Sequence, residues 1–337
     1  MFLTKIKQQL NATSCPVISF GGSYGGMLTA WFRTKYPNVV IGGLAASAPF
    51  AFVNTPGMDP YRFMDTTTKT YAASGPGCDV AIGVALQQIQ TLSQTEAGRA
   101  QLTKEYSLCS PLQTTDDLLG YTESALVDMA MLDYPYPSNY GLTLPGWPVN
   151  QTCNITNSQG LGAALSVFWS NNGVNTCLNM TRDVPDFATC CGWDYLFCSE
   201  IYQPDAQRGI WVPPTTWDVN ADIAGCQAQF NITLRPEFTE VQWVGGYGFA
   251  SGASNIIFSN GLLDPWHTSG ILTSLSPSLP AIVIPAAAHH LDLRGPNPAD
   301  PPYVTAARQQ EEQIILGWIE QYWTEQDQRK RQQNTLR

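Results

Sequence analysis

GGSYGG, residues 21–26, stands between the apolar run PVISF (16–20) and MLTAWFRTKYP (27–37), whose apolar positions have helical spacing. A serine among glycines at a strand-to-helix junction reads in two ways: as a tight turn, or as a nucleophile held out of a sheet. Gly21-Gly22-Ser23-Tyr24-Gly25 fits G-x-S-x-G, a pattern too short to argue alone. Its context raises it. In a nucleophile elbow the serine takes a strained backbone conformation, and a Cβ on its neighbours would clash with the adjacent strand or helix. The helix that follows aims N–H groups and a partial positive charge at the serine. The N–H of Tyr24 is then the expected first oxyanion donor.

Outward from this stretch, residues 16–20 read as a short buried strand and 25–36 as a helix closed by Pro37. VVIGGLAAS (39–47) is a continuous apolar run of the parallel-sheet kind, so the whole is a βαβ unit. The pattern returns near the C-terminus with NIIFSNG (255–261) and PAIVIPA (280–286). The last helix carries Ile314, Ile315, Trp318, Ile319, Tyr322 and Trp323 on one face, a core stripe. Residues 53–244 differ. Most cysteines lie there, with helix-like segments DVAIGVALQQIQTLSQ (79–94) and TDDLLGYTESALVDMAMLDYP (115–135). The reading is a discontinuous α/β domain (1–52 and 245–326), a mostly helical, cysteine-rich cap (53–244) and a polar tail (327–337).

Hydrophobic residues make up 44% of the chain and charged residues 13%, which suits a buried core and excludes a disordered chain. A net charge of −10 argues against nucleic acid, since the one dense basic run, Arg329-Lys330-Arg331, sits in the polar tail and reads as solvated and frayed. Nine cysteines and five Asn-x-Ser/Thr sequons, at Asn11, Asn150, Asn154, Asn179 and Asn231, point to the secretory pathway, lysosomal, vacuolar or extracellular. Cys78, Cys109, Cys153, Cys177, Cys190, Cys191, Cys198 and Cys226 form one central block. They can pair in about a hundred ways, so no pairing is assigned. Cys15 is read as a buried free thiol beside the first strand. A metal site is not expected: there is no CxxC pair, and the three histidines lack ligand spacing. No apolar run reaches the length of a membrane span. MFLTKIKQQLNATSC (1–15) lacks the apolar stretch of a leader, which the cysteines and sequons call for, so the start of the precursor is expected upstream of Met1.

A serine hydroxyl needs a base. His267 lies in LDPWHTSG, while His289 and His290 follow the strand PAIVIPA. Asp264 follows NIIFSNGLL. Ser23, Asp264 and His289 therefore stand in the order Ser, Asp, His, each after a strand, as the nucleophile-elbow fold requires. Taken singly, Asp264 is an Asp-Pro turn residue and the histidines belong to a polar loop.

Six segments, GGSYGGMLTAWFRTKYP (21–37), LAASAP (44–49), LDYPYPSN (132–139), CGWDY (191–195), NIIFSNGLLDPW (255–266) and AHHLDLR (288–294), together resemble the S28 serine peptidases, the lysosomal Pro-X carboxypeptidase and dipeptidyl-peptidase II group. The resemblance runs in order from about residue 16 to 325. It implies an α/β-hydrolase fold with a helical cap inserted after the elbow, a Ser23–Asp264–His289 triad, no cofactor, and hydrolysis of peptides with proline near a chain end. Two departures stand out. Ala287 takes the place of a glycine usual in relatives. Family members also carry a long front section with a signal peptide, early strands and a second oxyanion donor, whereas fifteen residues precede the first strand here. The sheet is accordingly expected without its N-terminal part, and one lost oxyanion donor costs on the order of 10²–10³ in rate. An esterase on the same fold, and an inactive relative that binds peptides, are the competing readings. A homodimer is left open.

Further residues follow from position. His289, closer to the strand end, is read as the base, with His290 packing beside it. Met27 and Trp266 are read as walls of an apolar, proline-sized pocket, or else as core. Arg294 either folds back towards the imidazole and disfavours its charged form, or pairs at the surface with Asp292. Asp194, between Trp193 and Tyr195 in the cysteine-rich CCGWDYLFCSE, is read as an anchor for a substrate ammonium, or else as a helix cap. The first reading tilts towards removal of N-terminal X-Pro dipeptides.

Overall fold

Four parallel strands, β1 (Ile18–Gly22), β2 (Gly42–Ala46), β5 (Ile256–Gly261) and β6 (Ala281–Ile284), form one sheet in the order β1-β2-β5-β6. They come from the two ends of the chain, as the discontinuous pattern predicts. The computed structural model describes residues 2–50, 58–139, 143–180, 192–238 and 252–335. Both expected boundaries of the cap, and Cys190 and Cys191, lie outside the described residues.

β2 shows why the sheet can be covered on both faces. Neighbouring strand residues point to opposite faces. A Cβ on Gly42 would lie 2.2 Å from the Trp318 ring of α12 (Pro302–Thr335), and one on Gly43 2.7 Å from Thr29 of α2 (Tyr24–Lys35). The two helices therefore pack on opposite faces, each drawn close by a missing side chain. Of the stripe on α12, Trp318 is buried while Trp323 is 38% exposed. The helix does not give way to a frayed tail at residue 327 but runs to Thr335. Gln, Glu, Lys and Arg are good helix formers, and the Glu325–Arg329 (3.9 Å) and Asp327–Lys330 (3.8 Å) pairs add weak support.

The described chain between β2 and β5 is mostly helical: α3 (Arg62–Ser74), α4 (Cys78–Leu92), α5 (Glu96–Glu105), α6 (Thr115–Met131), α7 (Pro148–Gln159), the short α8 (Leu161–Ala164) and α9 (Ser166–Trp169), α10 (Gly192–Ser199) and α11 (Val219–Phe230). A small antiparallel pair, β3 (Ser138–Asn139) with β4 (Thr143–Leu144), follows α6. An eight-residue α1 (Phe2–Gln9) precedes β1. Local signals set the helix ends. Thr95, Thr114 and Asp218 accept hydrogen bonds from first-turn N–H groups, and Pro148 opens α7. One apolar cluster joins cap residues such as Tyr71, Leu126 and Trp211 to Leu44, Ile257 and Ile284 of the sheet.

Three disulfides, Cys78–Cys153, Cys109–Cys177 and Cys198–Cys226, tie these helices and their loops together. Cys15 is a free thiol but exposed rather than buried, because it lies in the loop ahead of β1. Asn11, Asn150, Asn154 and Asn231 are exposed and Asn179 is half-buried. No described helix is long and apolar enough to cross a membrane.

Several carboxyl groups are withdrawn from water. Burial raises Glu123, Asp128 and Asp133 to about 7 each. Asp292 and Glu311 are buried as a pair; burial raises both, Glu311 to about 8. A carboxyl raised in the folded state binds protons there that the unfolded chain has released. Its stabilisation is complete below the unfolded value near 4 and is lost as pH rises through the folded value. His290, lowered to about 4 chiefly by burial, works in the opposite sense as pH falls below about 6.5. Six carboxyls, counting Asp205, which burial raises to about 6, outweigh one imidazole. The thermal unfolding midpoint should therefore be higher at pH 5 than at pH 7.5, by roughly 5 °C or more. Glu311→Gln, which mimics the protonated acid, should flatten the dependence. A midpoint that falls on acidification would contradict this assignment.

Candidate active site

Ser23 is the residue between β1 and α2, at φ 58° and ψ −129°. This left-handed backbone is one that non-glycine residues rarely hold. It is held by the Ser23 N–H, which donates to Ala46 C=O on β2 (2.9 Å), and by the Ser23 C=O, which accepts from Gly26 and Met27 (2.9 and 3.1 Å). The flanking glycines are required by close approach. A Cβ on Gly21 would lie 2.0 Å from the Gly25 carbonyl oxygen, and one on Gly22 2.7 Å from the His290 ring. Gly25, by contrast, faces open space, although it completes the five-residue pattern. Gly21→Ala should thus cost more stability than Gly22→Ala, where a ring can shift. Gly25→Ala should be neutral or stabilising by up to about 1 kcal/mol. Chemical denaturation of the three variants gives the order, and a Gly25→Ala loss as large as that of Gly21→Ala would refute it.

Asp264 lies three residues beyond β5 and His289 five beyond β6, at the same C-terminal edge of the sheet as Ser23. In open α/β sheets this edge is where ligands bind. Asp264 is fully buried and His289 is 2% exposed. Asp264 Oδ2 is 2.7 Å from His289 Nδ1, and Asp264 Oδ1 accepts the Trp266 N–H at 3.0 Å. Donation from Nδ1–H leaves Nε2 with its lone pair, the tautomer that can accept a proton. Tyr24 opens α2, where helix geometry leaves its N–H without an intrahelical acceptor. Its ring meets Trp193 of α10 edge-on at 5.6 Å.

The other two histidines are placed differently. His267 turns its Nδ1 to the backbone oxygen of Asp264 (2.7 Å), within its own turn. The His290 ring lies beside His289 (4.4 Å between centroids) and against Gly22. Burial, with smaller contributions from His289 and Arg294, lowers His290 to about 4, so it is uncharged at mildly acidic pH. The Arg294 guanidinium lies over the rings of Tyr134 (4.5 Å) and Tyr136 (5.9 Å). Of the two readings of Arg294, the surface pair with Asp292 is not formed, because Asp292 is buried and accepts from Ser259 Oγ (2.5 Å), while the charge of Arg294 does disfavour the charged form of His290.

Met27 is fully buried in a cluster with Phe50 and Ile201. Trp266 is half-buried, its ring 4.4 Å from Phe63 of α3 and its Nε1 3.3 Å from Met131 Sδ. Asp194 is exposed in the first turn of α10, a helix tied to α11 by Cys198–Cys226.

Sequence reasoning missed the groups that fix the histidine loop. Ser47 Oγ accepts the His290 N–H (2.8 Å), and Arg308 donates to the carbonyls of Leu291 (2.9 Å) and Asp292 (2.8 Å). Ser47 carries a signal in retrospect: in LAASAP it directly follows β2, and it has φ 46°.

The family model for serine carboxypeptidase S28 matches residues 1–311. The human (Homo sapiens) lysosomal Pro-X carboxypeptidase is 37% identical over 328 residues, covering 93% of this chain and 65% of its own length. Prolyl carboxy peptidase like protein 5 of Caenorhabditis elegans is 34% identical over 345 residues (92% and 67%), and the thymus-specific serine protease of Mus musculus 27% over 334 residues (91% and 65%). The chain thus spans about 65% of the length of the first curated relatives it matches. The chain belongs to the serine carboxypeptidase S28 family, and its parallel sheet with helices on both faces is the α/β-hydrolase fold that its motifs imply.

Proposed function

We propose that this chain is the catalytic body of a serine exopeptidase that cleaves peptide bonds beside proline near a chain end. The buried Asp264–His289 contact, together with a serine of strained backbone at the same sheet edge, supports this reading most. In it, Ser23 Oγ attacks the peptide carbonyl while His289 Nε2 takes its proton. The Tyr24 N–H receives the developing oxyanion. His289 then returns the proton to the leaving amine, and water hydrolyses the acyl-enzyme by the same steps in reverse. Asp264 holds the tautomer and stabilises the imidazolium. His290, without a carboxylate on its ring, packs beside the base.

Trp266 is the apolar wall for the proline ring in this reading, with Met27 backing the elbow from the core. The Pro-X carboxypeptidases among the relatives favour cleavage at the carboxyl end. Asp194 as an ammonium anchor is the second reading. Trp193 beside Tyr24 keeps α10 near the elbow, but exposure of Asp194 weakens its hold on a charge. Three disulfides and the raised carboxyls fit an oxidising, acidic compartment of the secretory pathway, where relatives named lysosomal reside. Asn11, Asn150, Asn154, Asn179 and Asn231 would then be glycosylation sites.

A fluorophosphonate probe should label the wild type at Ser23 and leave Ser23→Ala unlabelled. His289→Ala should lower kcat by at least about 10³ and His290→Ala by far less. The reverse order would transfer the base role to His290. Two substrates decide the chain end: an N-blocked peptide ending in Pro-X, expected to be cut, and an X-Pro amide with a free N-terminus. Turnover of the amide alone, lost in Asp194→Asn, would establish the dipeptidyl-peptidase reading instead.

A further inference from the structure

We infer that Tyr134, from the segment that follows α6 of the cap, is a positioning residue for His289, acting on the backbone of the histidine rather than on its ring. The inference rests on His289 being the base. Both backbone polar groups of His289 are bonded to this one segment. The His289 N–H donates to Met131 C=O (3.0 Å), and the Tyr134 hydroxyl donates to His289 C=O (2.9 Å) across 155 positions of sequence. Tyr134 is fully buried, with the Arg294 guanidinium 4.5 Å over its ring.

The segment is anchored at its other side. Asp133 Oδ1 accepts the Val149 N–H at the start of α7 (3.1 Å), and Tyr134 C=O accepts the Trp147 N–H (2.7 Å). Met131 reaches the aspartate loop too, since its sulfur accepts from the Trp266 indole N–H, and the backbone N–H of the same Trp266 donates to Asp264 Oδ1. One four-residue stretch, 131–134, thus touches the loops of both His289 and Asp264. A histidine loop of 3₁₀ and left-handed residues, with His290 at φ 40°, has no helix or strand of its own to fix it. The clamp from the cap adds to the constraint from Ser47 and Arg308, and among the described residues it alone bonds the His289 backbone. A base displaced by a fraction of an ångström loses rate without losing substrate affinity.

Tyr134→Phe removes the hydroxyl and little volume. Tyr71→Phe is the control: Tyr71 is equally buried and donates to Leu126 C=O on α6 (2.8 Å), away from the histidine. In the full chain, Tyr134→Phe should slow fluorophosphonate labelling of Ser23 and lower kcat about ten-fold, the rate effect of one typical hydrogen bond, with KM within about two-fold. Tyr71→Phe should lower the unfolding midpoint comparably and label at the wild-type rate. The downfield proton resonance of His289 Nδ1–H should shift and exchange faster with solvent in Tyr134→Phe but not in Tyr71→Phe. Wild-type labelling by Tyr134→Phe with an unmoved resonance overturns the proposal, as does equal slowing in both variants, which would mean general loosening of the cap. A wild type that never labels would defeat the hydrolase reading, and the resonance comparison would still decide the positioning. Should Tyr134→Phe not fold, 3-fluorotyrosine at position 134 strengthens the same donor and must shift the resonance; no shift counts against the clamp.

Discussion

The Asp264–His289 hydrogen bond, 2.7 Å long between side chains with almost no exposure, makes the heaviest demand on the rest of the molecule. A carboxylate in that position is strongly unfavourable unless every lone pair that matters is engaged. The imidazole takes one oxygen and the Trp266 N–H the other. The partners come from loops after different strands, so their meeting depends on the parallel register that sets Gly261 opposite Ile284. Within the loops, the constraint is passed to polar contacts from three directions: Ser47 from the turn after β2, Arg308 from α12, and residues 131–134 from the cap. The site is held by the whole domain rather than by the residues that would do chemistry.

Much of this was legible in the sequence because it depends on short-range order. Apolar runs located the four strands, although β1 runs on through Gly21 and Gly22 and, at the sheet's edge, has no buried residue, so that Ser23 alone separates it from α2. The order Ser, Asp, His could be read because parallel strands put all their C-terminal ends on one edge. The glycine argument held in kind but not in detail. Gly21 and Gly22 are needed for close approach, whereas Gly25 meets nothing within 4 Å.

What escaped reading depends on long-range packing. Arg294 and Asp292 are two residues apart, and a local view pairs them. The fold instead buries Asp292 against Ser259 and Glu311 and turns Arg294 onto two tyrosines of the cap. Tyr134 stood in the quoted motif LDYPYPSN with no role, since nothing near it in sequence shows a carbonyl 155 positions away. Cys15 was misread for a related reason: proximity to a strand says little about burial when the residue precedes the strand's first sheet contact. Helix propensity in the polar tail was also underweighted, for a run rich in Gln, Glu, Lys and Arg needs no apolar face to continue a helix already started by packed residues.

The buried acids and the histidines pull in opposite directions on the pH scale. Glu123, Asp128, Asp133 and the Asp292–Glu311 pair favour a fold in which protons are plentiful. An imidazole base must be uncharged to accept a proton, which favours their scarcity. His290 eases the conflict. Pressed against Gly22 and His289 and lowered to about 4, it adds no positive charge beside His289 at mildly acidic pH. The Asp292–Glu311 pair supports the same loop from beneath: Asp292 follows His290 by two residues, and Arg308 grips its carbonyl while also pairing with Asp300 at 2.6 Å. Protonation of that pair removes a like-charge repulsion under the histidines. The conditions that relax the scaffold's electrostatics therefore overlap with those in which His290, the neighbour of His289, is still neutral, and a chain with net charge −10 meets both demands in a mildly acidic medium.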